Sequence, residues 1–192
     1  MSGNWQPVHI LPLIVLISCC ALPGVYAKAP SHQSKDEAMT IVEQIVERRM
    51  NSDVPDYQDD RSSPEALIAS YYNALNRAEF SRAYSYLSEE RRPDFLSWVQ
   101  GYKNTRSIRL IAGKAESDNA AGTWGWDLPV AIESEKYDGT KEVFRGCYLV
   151  TMTAPVNQIL PPYRAMTIAF SSSLKKSAQT INESLPATCN PE

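Results

Sequence analysis

Residues 123–136 read TWGWDLPVAIESEK and set one carboxylate, Asp127, beside two tryptophans, Trp124 and Trp126. A carboxylate in an apolar, partly dry setting has its charged form disfavoured and can serve as a general acid or base near neutral pH. On the wet side of a strand the same residue does no chemistry, and exposed Asp is the commoner case. Strand alternation bears on the choice. Trp124, Trp126, Leu128, Val130 and Ile132 share one face, and Thr123, Gly125, Asp127, Pro129, Ala131 and Glu133 share the other. Five large apolar residues mark the first set as the core side. Asp127 would then reach a pocket only if the minority face lines the concave side of a curved sheet near its mouth. Pro129 complicates the phase, because proline cannot donate to a ladder and belongs at an edge or a bulge. A bulge there would put the tryptophans on the opposite face from Val130 and Ile132.

Cysteines are the second group with chemistry to offer. Of the four, Cys19 and Cys20 lie in a segment of 27 residues that contains no Asp, Glu, Lys or Arg. Within it, ILPLIVLISCCAL (10–22) is followed by Pro23-Gly24 and Val25-Tyr26-Ala27, the pattern of a signal peptide with small residues at −3 and −1. The apolar run is short of the ~20 residues a membrane span needs. Cleavage after Ala27 leaves Cys147 and Cys189, an even pair expected to join in an oxidising compartment. The alternative is a lipoprotein anchored through Cys19, since Leu16-Ile17-Ser18-Cys19 resembles a lipobox, but that cut leaves Cys20 as an odd thiol. A periplasmic or secreted location is expected, with no membrane span after processing. The net charge is −3, and cations occur only as pairs such as Arg48-Arg49, Arg91-Arg92 and Lys175-Lys176. A nucleic-acid binder needs a dense cationic face, so no nucleic-acid partner is expected.

The elements that position these groups follow from periodicity. Residues 28–62 are expected to hold a polar tail, an amphipathic helix at about 35–50 and a polar linker. The helix starts on a capping box at Ser34–Glu37 and carries Ile41, Ile45, Val46 and Met50, a stripe that needs the main domain or another subunit as partner. Ser63-Pro64-Glu65 is a strong helix start, and Leu67, Tyr71, Ala74 and Leu75 follow on one stripe. A short second helix carries Phe80, Ala83, Tyr84 and Leu87. A third starts near Pro93 with Phe95, Trp98, Val99 and Tyr102, where Asp94 is a favourable charge at the positive end of the dipole. The period then changes to two. Strands are expected at Ile108–Gly113, 121–135, Glu142–Ala154 and Tyr163–Ser172. Asp138-Gly139 marks a two-residue hairpin turn. That register places Val130 opposite Cys147 and Asp127 opposite Val150, with Cys147 inward. A Cys147–Cys189 bond would pin the tail, 175–192, across the sheet. Helices first and strands afterwards give an α+β fold: three helices packed in a strongly curved, antiparallel four-stranded sheet spanning 63–174.

The stretch SPEALIASYYNALNRAEFSRAYSYL, with paired tyrosines, an N-x-x-(D/E)-(F/Y) turn and a second aromatic helix before four long strands, resembles the nuclear transport factor two-like superfamily, which includes ketosteroid isomerase-like and polyketide cyclase-like proteins. The resemblance covers roughly 63–172. It implies a cone-shaped domain with a pocket at its open end, and it embraces enzymes, ligand binders and association domains, so the fold does not settle function. Enzymes of that superfamily set an Asp, sometimes a His, and often a Tyr donor in the cone. Here the mature chain holds one histidine, His32, in the N-terminal tail, and two cysteines with one tail histidine do not make the usual zinc set. No metal and no cofactor are expected. An isomerase, dehydratase or cyclase would use Asp127 as base with Tyr72 or Tyr148 as donor. The favoured expectation is a non-catalytic binding domain, with Tyr71, Tyr84, Trp98, Trp124 and Trp126 as the aromatic lining for a small apolar or aromatic ligand. An envelope protein is the other partner expected, and a homodimer or scaffold built on the sheet face and the first helix is a further reading.

Overall fold

A computed structural model describes residues 32–50, 54–117, 119–120, 122–169 and 174–189. The expected signal peptide, the Cys19 lipobox and the last residues of the expected fourth strand lie outside them. No helix among the described residues is long and apolar enough to cross a membrane.

Helix α1 runs from His32 to Met50. It begins before Ser34, so the proposed capping box lies inside the helix; the sequence from His32 to Ser34 contains no breaker to delay the start. The buried stripe also differs from expectation. Ile41, Ile45 and Arg49 fall at i, i+4 and i+8, Ile45 and Arg49 are buried, and Met50 points to solvent. The stripe packs on this chain's own domain, with Ile45 part of the main core and Ile41, Val42 and Val46 against it.

Arg49 explains why α1 docks where it does. Its Nε and Nη2 donate to the Thr105 carbonyl at 3.0 and 2.5 Å, and Nη1 donates to the Leu75 carbonyl at 2.8 Å. Leu75 lies in the last turn of α2, where carbonyls lack helical partners and carry the negative end of the dipole. Burial pushes the Arg49 pKa down, but a guanidinium stays charged at any physiological pH.

Residues 54–62 are an ordered strap rather than a free linker. Asn73 accepts from the Gln58 N–H at 3.1 Å and donates to the Asp56 carbonyl at 2.7 Å. Arg77 and Arg82 donate to the Pro55 and Gln58 carbonyls, at 2.6 and 2.7 Å. Both guanidiniums also lie over the Tyr57 ring.

Helix α2 (Pro64–Asn76) starts as its sequence demands, with the Ser63 hydroxyl accepting from the Ala66 N–H at 3.1 Å. At its end the Asn76 amide behaves like a strand residue, donating to the Ile108 carbonyl at 2.7 Å and accepting from the Ile108 N–H at 2.8 Å. This locks α2 over the first strand. Two one-turn helices follow, α3 (Phe80–Ser85) and α4 (Phe95–Gln100). Asp94 is the N-cap of α4, accepting from the Ser97 N–H at 3.0 Å.

The sheet is curved, open and antiparallel, with six strands where four were expected. β1 (Thr105–Ala112), β3 (Thr123–Lys136), β4 (Lys141–Thr153) and β5 (Thr167–Ala169) lie side by side in that order. The extra strands are short: β2 (Glu116–Ser117) extends β1 along β3, and β6 (Lys175–Ser177) pairs with β4. The long ladder pairs Thr123 with Thr153 and runs to Glu135 with Lys141 without a slip.

The hairpin loop has three residues, not two. Lys136 N–H donates to the Thr140 carbonyl at 2.9 Å and Gly139 N–H to the Lys136 carbonyl at 3.0 Å, with Gly139 at φ +83°. A three-residue loop closing on a left-handed glycine is the next commonest hairpin, and it moves the register by one. Cys147 therefore pairs with Pro129 and Asp127 with Leu149. Cys147 lies on the outer face, away from the helices that precede the sheet, which corrects its expected inward placement.

Pro129 causes a break, but in the neighbouring strand. Its carbonyl accepts from the Gly113 N–H at 2.8 Å. In a strand N and C=O of one residue point to the same side, so its missing donor also faces that neighbour. There the chain leaves the ladder after Ala112, opposite Val130, and rejoins it at Glu116, opposite Asp127. Residues 113–115 face 128–129, one extra residue on the edge. β3 keeps its phase, so Trp124 and Trp126 share the Leu128 and Val130 face.

The inner face of the sheet and the helices form the main core, including Leu67, Ile68, Leu75, Tyr86, Val99, Leu128, Val130, Val150 and Ile168. On the outer face the C-terminal segment supplies α5 (Ile181–Ser184). Ile181 and Ser184 are buried there along with Pro129 and Ala131. The Cys147–Cys189 disulfide spans a sequence separation of 42 residues and holds this segment in place.

Candidate functional site

A cavity of about 510 Å³ opens between the helices and the inner face of the sheet. Tyr71 enters from α2, Trp98 from α4 and Tyr102 from the turn just after it, and Tyr148 and Ile168 from β4 and β5. Leu87, Pro93, Ser97, Gly101 and Leu174 complete the lining. Trp98 forms the stiff wall. Its ring meets Tyr102 at 5.3 Å, Tyr84 at 5.4 Å and Phe80 at 6.2 Å between centroids, distances at which tilted and edge-on aromatic pairs attract.

The polar atoms of the site are phenols. Tyr71 and Tyr102 hydroxyls lie 3.1 Å apart, and Tyr72 and Tyr148 hydroxyls 2.6 Å apart. Burial raises all four phenol pKa values, with the neighbouring phenols adding to the rise at Tyr71 and Tyr72. They stay protonated at neutral pH and act as donors. Each pair holds two O–H protons and one O···O bond, so one proton per pair is left to point elsewhere. The described residues bond no further acceptor to these hydroxyls. Among the described residues, no carboxylate, amine, imidazole or thiol lines the cavity. Among the described residues, no group of three or more His, Cys, Asp or Glu is placed to hold a metal ion.

The sequence-derived candidates separate clearly. Tyr71, Trp98 and Tyr148 line the cavity, and Tyr72 stands behind Tyr148 through their shared hydrogen bond. Tyr84 buttresses the wall: its hydroxyl donates to the Pro93 carbonyl, its ring packs on Trp98, and the Arg92 guanidinium lies 4.8 Å above that ring. Trp126 packs on the core and Trp124 projects to solvent, both beyond the cavity along the inner face. Asp127 lies on the outer face, opposite Leu149 and Glu116, and does not border the cavity. Tyr102 joins the lining from the same face as Trp98, while Leu87, Pro93, Ser97, Gly101, Ile168 and Leu174 are lining residues that a reading for aromatic ligands overlooks. For Tyr102, the spacing of four from Trp98 carried the signal.

No family model matches the chain, and no curated protein matches it. Among solved structures it is similar to a candidate aromatic ring hydroxylase from Novosphingobium aromaticivorans, with TM-score 0.44, 13% identity, and coverage of 62% of this chain and 93% of that one. It is also similar to a chain of the C. albicans Mtr2–Mex67 M domain complex, with TM-score 0.33, 9% identity, and coverage of 75% and 99%. With TM-scores below 0.5, neither likeness bears on activity. The architecture itself, helices packed within a curved antiparallel sheet, is the one that the resemblance to the nuclear transport factor two-like superfamily implies.

Proposed function

We propose that the protein is an exported, non-catalytic binding domain that holds a small, flat, largely apolar ligand in the tyrosine-lined cavity. The observation that carries this reading is the pairing of an aromatic wall with surplus phenol donors and, among the described residues, no group that titrates near neutrality. Such a site offers apolar area and hydrogen bonds to an acceptor on the ligand, but no base to move a proton. The charge-free apolar N-terminal segment and the Cys147–Cys189 bond support export to an oxidising compartment. The enzyme reading, with Asp127 as base, draws no support from a carboxylate on the face away from the cavity. A scaffold built on α1 is likewise disfavoured, because its apolar stripe is already covered by its own domain.

Quenching of tryptophan fluorescence by acetonaphthone and by naphthalene tests the proposal. Both are expected to bind, the ketone about tenfold more tightly, as one additional hydrogen bond allows. Tyr71→Phe, Tyr102→Phe and Tyr148→Phe together, which leave no phenol lining the cavity, should erase that preference. Absence of saturable binding by either probe would sink the reading.

A further inference from the structure

The connection from β4 to β5 inverts the usual logic of a surface loop. Two of its polar side chains bond back to main chain: Asn157 Nδ2 donates to the Gly122 carbonyl at 3.3 Å, Gln158 Nε2 donates to the Thr153 carbonyl at 2.7 Å, and Gln158 Oε1 accepts from the Arg164 N–H at 2.7 Å. Its apolar side chains turn outward. Val156, Ile159, Leu160 and Tyr163 are 73%, 82%, 79% and 72% exposed, and Trp124, whose ladder partner Met152 lies beside this loop, is 42% exposed. Single exposed apolar residues need no explanation, but a contiguous group held out by hydrogen-bonded neighbours marks a contact surface.

We propose that this tip docks the protein onto the surface of a lipid bilayer carrying anionic headgroups. Side chains this exposed form a projection rather than a groove. A bilayer receives a projection without needing a matching pocket, whereas a protein partner would have to supply one. The residue types are layered as an interface requires. Aliphatic Val156, Ile159 and Leu160 enter the acyl boundary, and the amphipathic rings of Tyr163 and Trp124 lie at headgroup level. Charge agrees. In a chain of net charge −3, no Asp or Glu occurs between Glu142 and Glu183, so the loop and the strand ends that flank it carry none; Arg145, Lys175 and Lys176 lie toward the other end of β4. Arg164 is exposed at the loop itself, where a cation favours anionic lipid. Among the described residues, the nearest carboxylates in the ladder, Glu116 and Asp127, sit back from Trp124 along β3 and on the outer face. The inference is independent of the cavity and its ligand.

The test uses the full chain as the producing cell exports it, with mixed phosphatidylcholine–phosphatidylglycerol vesicles containing brominated acyl chains. The readout is the part of the tryptophan quenching lost in Trp124→Phe, which reports the tip whatever the N-terminal segment does. This Trp124-dependent quenching is expected in the wild type. In Ile159→Asp/Leu160→Asp it should need at least about tenfold more lipid, because a carboxylate replaces an aliphatic group at the acyl boundary. Val156→Ser should shift it less, in the same direction. All three substitutions fall on exposed side chains, so circular dichroism and acetonaphthone binding should match the wild type. Quenching that is absent in the wild type, or unchanged in the double variant, overturns the proposal. So does a dimer in light scattering that the double variant dissolves while vesicles leave Trp124 unquenched, which would assign the tip to a second copy of the chain.

Discussion

The two faces of the sheet are held by different means. The inner face carries Leu128, Val130, Ile132 and Val150 against four helices and is held by burial of large side chains. The outer face offers small residues, Pro129 and Ala131, to a helix of four residues. A helix that short has no stability of its own. Its capping box at Thr180 and Glu183 and the hydrogen bond from the Ser184 hydroxyl to Ser177 at 2.8 Å give it local order, and the disulfide keeps it in place. The contrast teaches that one sheet can draw its stability from packing on one side and from a covalent cross-link on the other. Only the second depends on redox conditions.

The sharpest way to break the comparison is to remove the cross-link. Cys147→Ser with Cys189→Ser should lower the unfolding free energy by about 4 kcal/mol, the chain-entropy value for this separation. Urea unfolding with and without reductant measures it, and probe binding in the inner cavity should be unchanged. Next comes a cavity on the inner face. Leu128 is fully buried, and Leu128→Ala should cost about 3 kcal/mol, read from the urea midpoint, with the same loss whether or not reductant is present.

A third prediction concerns pH. Tyr71, Tyr72, Tyr102 and Tyr148 have pKa values raised above 10.0 by burial. The stability they contribute is fully present below pH 10 and is lost as pH rises through their folded values, because the unfolded chain releases its protons first. Each should cost up to about 1.4 kcal/mol per pH unit in that window. Tyrosinate absorbance should therefore include a component from these four phenols that rises in step with loss of circular dichroism. The smallest effect is expected at the wall of the cavity. Asp94→Ala removes the cap of the helix bearing Trp98 and should cost about 1 kcal/mol, seen as a lower Tm and weaker probe binding.

The inner face was legible because its signals are local. Alternation along 123–136 identified the core side, and Ser63-Pro64-Glu65 marked the helix start. The outer face was not, because it depends on a count across a turn. Reading Asp138-Gly139 as a two-residue loop shifts every partner by one, and that single residue moves Cys147 from the outside to the inside. Pro129 was correctly seen as disruptive, but its disruption falls on residues 113–115, which pair with it only in three dimensions. Arg49 was missed because a charged residue in an Arg-Arg pair looks solvated, although its place in the Ile41–Ile45 stripe argued otherwise. The cavity drew three of its residues from the aromatics singled out in the sequence. Trp124 and Trp126 shared their chemistry but lie farther along the strand, a distance that composition does not record.

Much of the strap at 54–62 is gripped by its main chain: Pro55 and Asp56 and Gln58 are held through peptide groups, while Tyr57, Asp59 and Arg61 engage through their side chains. Main-chain groups are the same whatever residue carries them. The specificity of this contact therefore resides largely in Asn73, Arg77 and Arg82, while the strap's own identities, Tyr57, Asp59 and Arg61 excepted, are free to drift. A change to Arg82 would release the segment; a change to Gln58 would leave its course as it is.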